Sequence, residues 1–220
     1  MLSNEAYQKY LIELQANGTT DNIQSNRGRF VVNFNRAQLK VIEWLIERNN
    51  EDDNRYLQKI KKIDTSLTKS KTSKNKEYFD LKEDYFDFID LNAYGSKDKC
   101  KDQLFDVEEV KADNLNVLLT DEFSKPSFKY RESFYLIGEE DIILFKDDFT
   151  FDTVLLSYYR YPRQLELESP DNPESQLKET ELEFDDKLSN RIITLASAIH
   201  SLNANDQKYQ ALKQEVYSKI

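Results

Sequence analysis

The feature that most limits the fold of this chain is a change in the spacing of its apolar residues. Between residues 29 and 49 the apolar side chains recur at helical intervals, which predicts a helix. Ile42 and Ile46 widen the stripe, so this helix should be packed on more than one side. From about residue 85 to 162 short runs rich in Tyr, Phe, Ile and Val predict strands instead. Helical spacing returns after residue 184.

This order of helices, strands and helices predicts an α+β protein whose helical body, formed by the N- and C-terminal helices, contains an inserted β-rich module. We expect helices 29–49 and 184–202 to pack together, because they carry the two widest apolar stripes. The four predicted parts are an N-terminal helical part (1–84), the β-rich module (85–163), an acidic linker (164–183) and the C-terminal helices (184–220).

Two segments after the long helix set further expectations. A stripe of apolar residues from Tyr56 to Leu67 predicts a second helix, which should begin near Asp52 because acidic residues favour a first turn. Residues 68–76 contain no apolar side chain and four lysines, so they predict a flexible, disordered basic loop.

Shorter features predict helix ends and turns. Residues 3–16 have the spacing of a short helix, and Asp185 is a candidate N-cap for the helix that follows it. Gly138, Glu139 and Glu140 suit the turn of a hairpin. The remaining expectations are a last helix along residues 209–220 and two segments that fit either a strand or a helix, 104–110 and 114–123.

The net charge of −10 argues against a protein that mainly binds nucleic-acid phosphates. Cys100 is the only cysteine, which excludes an internal disulfide and fits a reducing compartment. No apolar run is long enough to span a bilayer, and the N-terminal residues lack the pattern of a secretory signal. These features predict a soluble protein that is made in a cytoplasm and has no membrane partner.

Few residues could carry catalysis. The four glycines are scattered, so neither a P-loop nor a dinucleotide-binding motif is present. His200 is the only histidine and Cys100 the only cysteine, which excludes a classical zinc site within one chain. We interpret His200 as a solvated or interfacial imidazole and Cys100 as a free thiol in a polar loop. The sequence therefore predicts no catalytic residue, no metal and no cofactor, and a protein that is not an enzyme.

Two alternative functions follow from local patterns. Glu109 and Lys111 have the E-x-K spacing of certain Mg²⁺ nucleases, and Asp90 lies upstream on a predicted strand, where it could share the metal. The run Tyr158–Arg163 has aromatic and arginine side chains that could stack on the bases of single-stranded nucleic acid. The acidic surroundings favour a different interpretation of this run, in which its tyrosines pack on the sheet and on a neighbouring subunit.

Charge is distributed unevenly along the chain. Residues 59–76 hold seven Lys and one Asp, and residues 166–186 hold nine acids and one Lys. A ring is built from head-to-tail contacts between two different surfaces, so two segments of opposite charge suit neighbouring subunits. The candidate subunit-interface residues are Lys69, Lys71, Lys74, Lys76, Glu174, Glu179, Glu181, Tyr158, Tyr159 and Tyr161.

The order of segments over most of the chain resembles the head–tail connector ring or tail-adaptor proteins of crAss-like and related short-tailed bacteriophages. No single motif carries the resemblance, and the Lys-rich residues 69–76 match nothing in it. The segments that carry it are 29–60, 78–88, 118–138, 147–167 and 184–210.

The resemblance implies a structural virion protein that is assembled in the cytoplasm of a bacterial host. Such proteins form a homo-oligomeric ring, here expected to be a dodecamer, which is stacked beneath the portal protein and extends the DNA channel. Other connector and tail proteins dock on the ring, and DNA passes through it with transient, non-specific contacts. The function of this family rests on interfaces, so it implies no catalytic residues for this chain.

Overall fold

In a computed structural model of the chain, the structure describes residues 1–16, 26–48 and 50–201. The protein divides into two compact units. The terminal unit combines residues 1–59 with the chain from Pro162 onward, and the sheet unit comprises Ile60–Tyr161.

Helices and strands occupy much of the described chain. The helices are α1 (Ser3–Ala16), α2 (Arg27–Arg48), α3 (Glu51–Leu57), α4 (Ala112–Thr120) and α5 (Asp186–Ser201). The strands are β1 (Lys61–Ser66), β2 (Thr68–Thr72), β3 (Lys76–Asp80), β4 (Tyr85–Lys97), β5 (Cys100–Glu109), β6 (Glu132–Ile137), β7 (Asp141–Phe145) and β8 (Thr150–Arg160). The protein is therefore a mixed α+β protein, as the change of apolar period predicted.

The helices of the terminal unit pack through their apolar stripes. Helix α2 contacts α5, and α1 contacts α5 as well, so the segments 29–49 and 184–202 meet in the described structure. The face that α2 buries carries Phe30, Phe34 and Val41. The backbone N–H of Leu188 donates to the carboxylate of Asp185 at 2.8 Å, which is the predicted N-cap of α5. The last helix predicted along residues 209–220 lies outside the described residues.

Residues 164–183, which we name the acidic strap, are more than the predicted linker. Leu165 and Leu167 are buried, whereas Glu166 and Glu168 between and beside them are exposed. This alternation places apolar side chains against the terminal unit and carboxylates in solvent. The strap is therefore an ordered part of the terminal unit, although it contains almost no regular secondary structure.

Two contacts attach the acidic strap to α2. The side-chain amide of Asn35 donates to the carbonyl oxygen of Leu165 at 3.0 Å, and its oxygen accepts from the N–H of Leu165 at 2.9 Å. The N–H of Gly28 donates to the carbonyl of Pro173 at 2.9 Å. A Cβ on Gly28 would lie 2.9 Å from the Cβ of Pro173, so only glycine permits this approach.

The sheet unit contains one eight-stranded sheet with the order β1-β8-β4-β5-β6-β7-β3-β2. Its two end strands, β1 and β2, are separated in sequence by the single residue Leu67, so the two ends of the sheet meet there. Leu67 is buried, and its N–H donates to the carbonyl oxygen of Val154 at 2.9 Å. The curled sheet encloses an apolar core that includes Phe79, Phe105 and Phe151.

The helix predicted to continue to Leu67 and the disordered loop predicted over 68–76 are both wrong. Helix α3 ends at Leu57, and the chain then forms β1, β2 and the start of β3. The apolar stripe from Tyr56 to Leu67 led to a wrong prediction because its residues do not share one buried face. Ile63 is 65% exposed, and of the stripe only Leu67 contributes to the core of the sheet unit. The lysines do not prevent pairing of the strands, because such side chains can extend along apolar neighbours while their charges stay in solvent.

The predicted β-rich module therefore begins earlier than residue 85, because the sheet unit starts at Ile60. The segments 104–110 and 114–123 both fitted either a strand or a helix. The first lies mostly in strand β5, and the second lies mostly in helix α4. The hairpin predicted at Gly138 is confirmed, since β6 and β7 are antiparallel and the Gly138 N–H donates to the carbonyl of Asp141 at 2.7 Å. Strands β5 and β6 run parallel, with α4 in the connection between them.

One carboxylate, that of Glu77 on β3, is buried and paired with two lysines, of which Lys146 is buried and Lys69 is partly exposed. Glu77 is 1% exposed and lies 2.9 Å from the ammonium groups of both Lys146 and Lys69. The backbone N–H of Phe151 donates to the same carboxylate at 3.1 Å. Lys146 is also buried, so its charge depends on this pairing for compensation.

We predict that Glu77→Gln lowers the free energy of unfolding by about 3–5 kcal/mol, because it leaves the buried Lys146 ammonium without a counter-charge. Urea denaturation followed by far-UV circular dichroism measures the change. Asp147→Asn is the matched control, since Asp147 contacts Lys125 at 3.7 Å in solvent and its loss should leave stability unchanged. Equal stabilities of the two variants would contradict the importance of the buried pair.

Candidate subunit interface

The four candidate lysines of the basic segment do not share one environment. Lys69 forms an ion pair with the buried Glu77, and its ammonium donates to the carbonyl of Phe151. Lys71 and Lys76 lie over the ring of Tyr78, with ammonium-to-centroid distances of 5.5 and 5.4 Å. Lys69 is therefore held by contacts within its own chain, and its part in a subunit interface stays a prediction.

Of the exposed lysines of this segment, Lys71 and Lys74 form no ion pair with another described residue. Lys71 lies on β2, and Lys74 lies in the turn between β2 and β3. We name the pair β2–β3 with its turn the basic hairpin. Its exposed charge is a surface feature of the sheet unit.

The candidate acids lie on the acidic strap of the terminal unit. Glu174, Glu179 and Glu181 are all exposed. Glu166 on the same strap pairs with Lys178 at 2.5 Å, and this hydrogen bond lowers the pKa of the Glu166 carboxyl. The strap thus presents carboxylates from an ordered backbone.

The three candidate tyrosines separate into buried and exposed groups. Tyr158 is 2% exposed, and its hydroxyl donates to the carboxylate of Asp84 at 2.7 Å, so it belongs to the core and not to an interface. Burial raises the pKa of the Tyr158 hydroxyl above its ordinary value. Tyr159 is half-buried, whereas Tyr161 is 46% exposed and packs edge-on against Phe86 at 4.9 Å.

The burial of Tyr158 also limits the alternative of single-strand binding. Base stacking needs rings with free faces, and in this run only Tyr159 and Tyr161 reach solvent to an appreciable extent. The residues that were expected to form one aromatic platform are therefore divided between the core and the surface of the sheet unit.

His200 is buried and not solvated, which corrects the interpretation of its imidazole. It is 9% exposed, and its Nδ1 lies 2.6 Å from the hydroxyl of Tyr10 and 3.3 Å from the amide nitrogen of Asn33. Both neighbours can donate to Nδ1, which suits a neutral imidazole. Burial, with a smaller contribution from Arg29, lowers the pKa of His200.

The three residues of the nuclease alternative lie on different elements of the sheet unit. Asp90 lies on β4, Glu109 ends β5 and Lys111 is the N-cap of α4. Within the part of the chain that the structure describes, no group of three or more His, Cys, Asp or Glu side chains could hold a metal ion. Cys100 is an exposed, free thiol, but it begins strand β5 and does not lie in the predicted loop.

Sequence reasoning missed one feature, which is an opening between β4 and β5 beside Asp90. The signal for it was present, because the apolar residues of both strands are interleaved with acids, as in the segments 85–90 and 105–109. Acids that alternate with apolar residues along a strand predict that one face of the strand is exposed. They do not predict that two neighbouring strands separate.

No protein-family model matches the chain, and no curated protein matches it. The resemblance to connector proteins is therefore a hypothesis that rests on the order of the segments alone. Among the described residues, no helix has both the length and the apolar character that crossing a membrane requires.

We predict that the stability of the protein falls as the pH decreases below about 6.5, in part because of His200. The unfolded chain gains a proton on this imidazole near that pH, whereas the buried imidazole resists protonation until a lower pH. The unfolded state therefore binds more protons in this window and is favoured. Urea denaturation between pH 7.5 and 5 of the protein and of His200→Gln measures the difference. Parallel pH profiles would show that His200 contributes nothing.

Proposed function

We propose that this protein is a structural subunit of a bacteriophage head–tail connector, where it forms a homo-oligomeric ring between portal and tail around the DNA channel. The observation that carries the proposal is that each unit has one exposed segment of opposite charge, the basic hairpin in the sheet unit and the acidic strap in the terminal unit. The sheet unit presents the exposed lysines of the basic hairpin, and the terminal unit presents the exposed carboxylates of the acidic strap. A closed ring needs two different surfaces on each subunit that match each other.

In this proposal the helices α1, α2 and α5 form the helical body of the subunit. The sheet unit supplies the surfaces that face other rings and neighbouring subunits. The basic hairpin of one subunit contacts the acidic strap of the next, and repetition of this contact closes the ring. Charge pairs at such a contact set its register and its dependence on salt.

An acidic protein suits the wall of a DNA channel. The net charge of −10 repels the phosphates of duplex DNA, so DNA can slide past the wall without adhering to it. Within the proposal the partners are further copies of the chain, the portal protein, and the other connector and tail proteins. The protein is then located in the connector region of the virion.

We predict that Lys71→Glu/Lys74→Glu weakens self-association at low salt, because it places like charges opposite the acidic strap. Native mass spectrometry and light scattering measure the distribution of oligomers, and negative-stain imaging shows whether rings form. The variant should resemble the unmodified protein at high salt, where both assemblies are weakened by screening.

Lys99→Glu/Lys101→Glu is the matched control, since it makes the same charge change near the β4–β5 turn, outside the basic hairpin. It should leave assembly at low salt nearly intact. Mixing the hairpin variant with Glu179→Lys/Glu181→Lys should restore assembly between unlike subunits. If the hairpin variant assembles as well as the unmodified protein at low salt, the pairing of hairpin and strap is wrong.

A further inference from the structure

Strands β4 and β5 separate over part of their length. Their ladder extends only from the pair Ala93 and Phe105 to the pair Lys97 and Cys100. From Tyr85 to Asn92 β4 is paired with β8 alone. Over this stretch the backbone groups of β4 that face β5 therefore lack a ladder partner in the described structure.

We name the space between the separated strands the β4–β5 opening. It is a cavity of about 430 Å³ that is open to solvent. Apolar side chains contribute to its walls, and among them Leu104 is 49% exposed and Tyr130 is 66% exposed. The residues that line it are Asp90, Leu91, Asn92, Leu104, Phe105, Asp106, Val107, Tyr130 and Arg131.

Acids outnumber cations at this opening. Asp90 and Asp106 line it and are exposed, and Glu109 lies farther along β5. The amide of Asn92 donates to Asp90 at 3.2 Å, but none of the three carboxylates forms an ion pair with another described residue. Arg131 is the one cationic side chain in the lining.

Tyr135 on β6 lies near these acids but belongs to the core and does not line the opening. It is 6% exposed, its ring stacks on Phe88 at 5.6 Å, and it is the register partner of Glu109. Burial, together with smaller contributions from Glu109 and Asp90, raises the pKa of Tyr135 to about 12. The unpaired side of β4 and the charge of the lining are therefore the features that bear on an occupant.

We propose that the β4–β5 opening binds an extended segment of a partner protein that carries lysine or arginine. The backbone of the segment pairs with the free side of β4, in the manner of strand addition. Its cationic side chain meets Asp90 and Asp106, while the stem of that side chain lies along Leu104 and Tyr130. Charge complementarity selects this occupant, because an acidic segment or a nucleic acid would be repelled.

The chain's own basic hairpin is a poor occupant of this opening. Lys71 lies on β2, whose backbone is paired with β3, and Lys74 lies in the turn that joins these strands. As the end strand of the sheet, β2 keeps one free side, but β3 is paired with its other side and would have to enter the opening with it. The occupant that we propose is therefore a different polypeptide, and its binding does not depend on whether the protein forms a ring.

A titration with a synthetic peptide tests the proposal. The probe is a fluorescent peptide of sequence Lys-Val-Lys-Val-Lys with blocked ends, added to the full-length protein at low salt and followed by fluorescence anisotropy. We expect Asp90→Asn/Asp106→Asn to weaken binding about tenfold, as the loss of two charge pairs implies. The same peptide with glutamine in place of lysine should bind weakly to the unmodified protein. Its affinity should be close to that of the lysine peptide for the Asp90→Asn/Asp106→Asn variant.

Two further variants exclude trivial explanations. Glu179→Gln/Glu181→Gln makes the same change in net charge on the acidic strap, and it should leave the affinity for the peptide unchanged. Arg131→Gln removes the competing cation and should tighten binding, which a variant that merely perturbs the fold would not do.

Three results would overturn the proposal. Equal weakening by the Asp90/Asp106 and Glu179/Glu181 variants would show attraction to net charge alone. Unchanged or weaker binding by Arg131→Gln would show that the peptide does not enter the opening. If Asp90→Asn/Asp106→Asn alters self-association and not peptide affinity, the opening is a contact between subunits. The oligomer measurements address the ring separately, so either proposal can fail without the other.

Discussion

The sheet unit depends on the place where the two ends of its sheet meet, and a buried carboxylate lies beside that place. Glu77 on β3 joins Lys69 on β2, Lys146 after β7 and the backbone of Phe151 on β8. These segments approach the meeting point from both ends of the strand order. A buried ion pair contributes little net stability compared with apolar side chains in the same place. It does, however, tolerate only one arrangement of the carboxylate and the two lysines. We infer that it specifies the register in which the two ends of the sheet meet.

The same carboxylate divides the lysines of the basic segment between two environments. Viewed as a sequence, its lysines are equivalent, and their density predicts a disordered loop. In the fold, Lys69 compensates a buried charge, whereas Lys71 and Lys74 remain in solvent. A substitution of all the lysines together would therefore combine a loss of stability with a change of surface charge, and its effect on assembly could not be interpreted. The separation of Lys69 from its neighbours makes the surface charge accessible to a clean experiment.

Helices with a regular apolar stripe were predictable from the sequence, and the long-range pairing of strands was not. The stripes of α1, α2 and α5 depend on residues three and four positions apart, so local spacing contains the information. Strands β1 and β2 exist because they pair with β8 and β3, and Ile63 and Leu67 happen to lie four residues apart, as they would in a helix. The acidic strap shows the opposite error. Its prolines and acids predicted a linker, although the alternation of Leu165 and Leu167 with acids contained the signal for an ordered segment with one buried side.

Free backbone edges of a sheet can attract other strands. In the described structure β1 and β2 are the end strands of the sheet, and β4 has a further side without a ladder partner from Tyr85 to Asn92. Acids beside this side of β4 would discourage pairing with a second copy of the same acidic strand, since like charges would be placed opposite each other. They would not discourage a cationic strand. The same charge would therefore disfavour self-pairing at this edge and favour a basic partner.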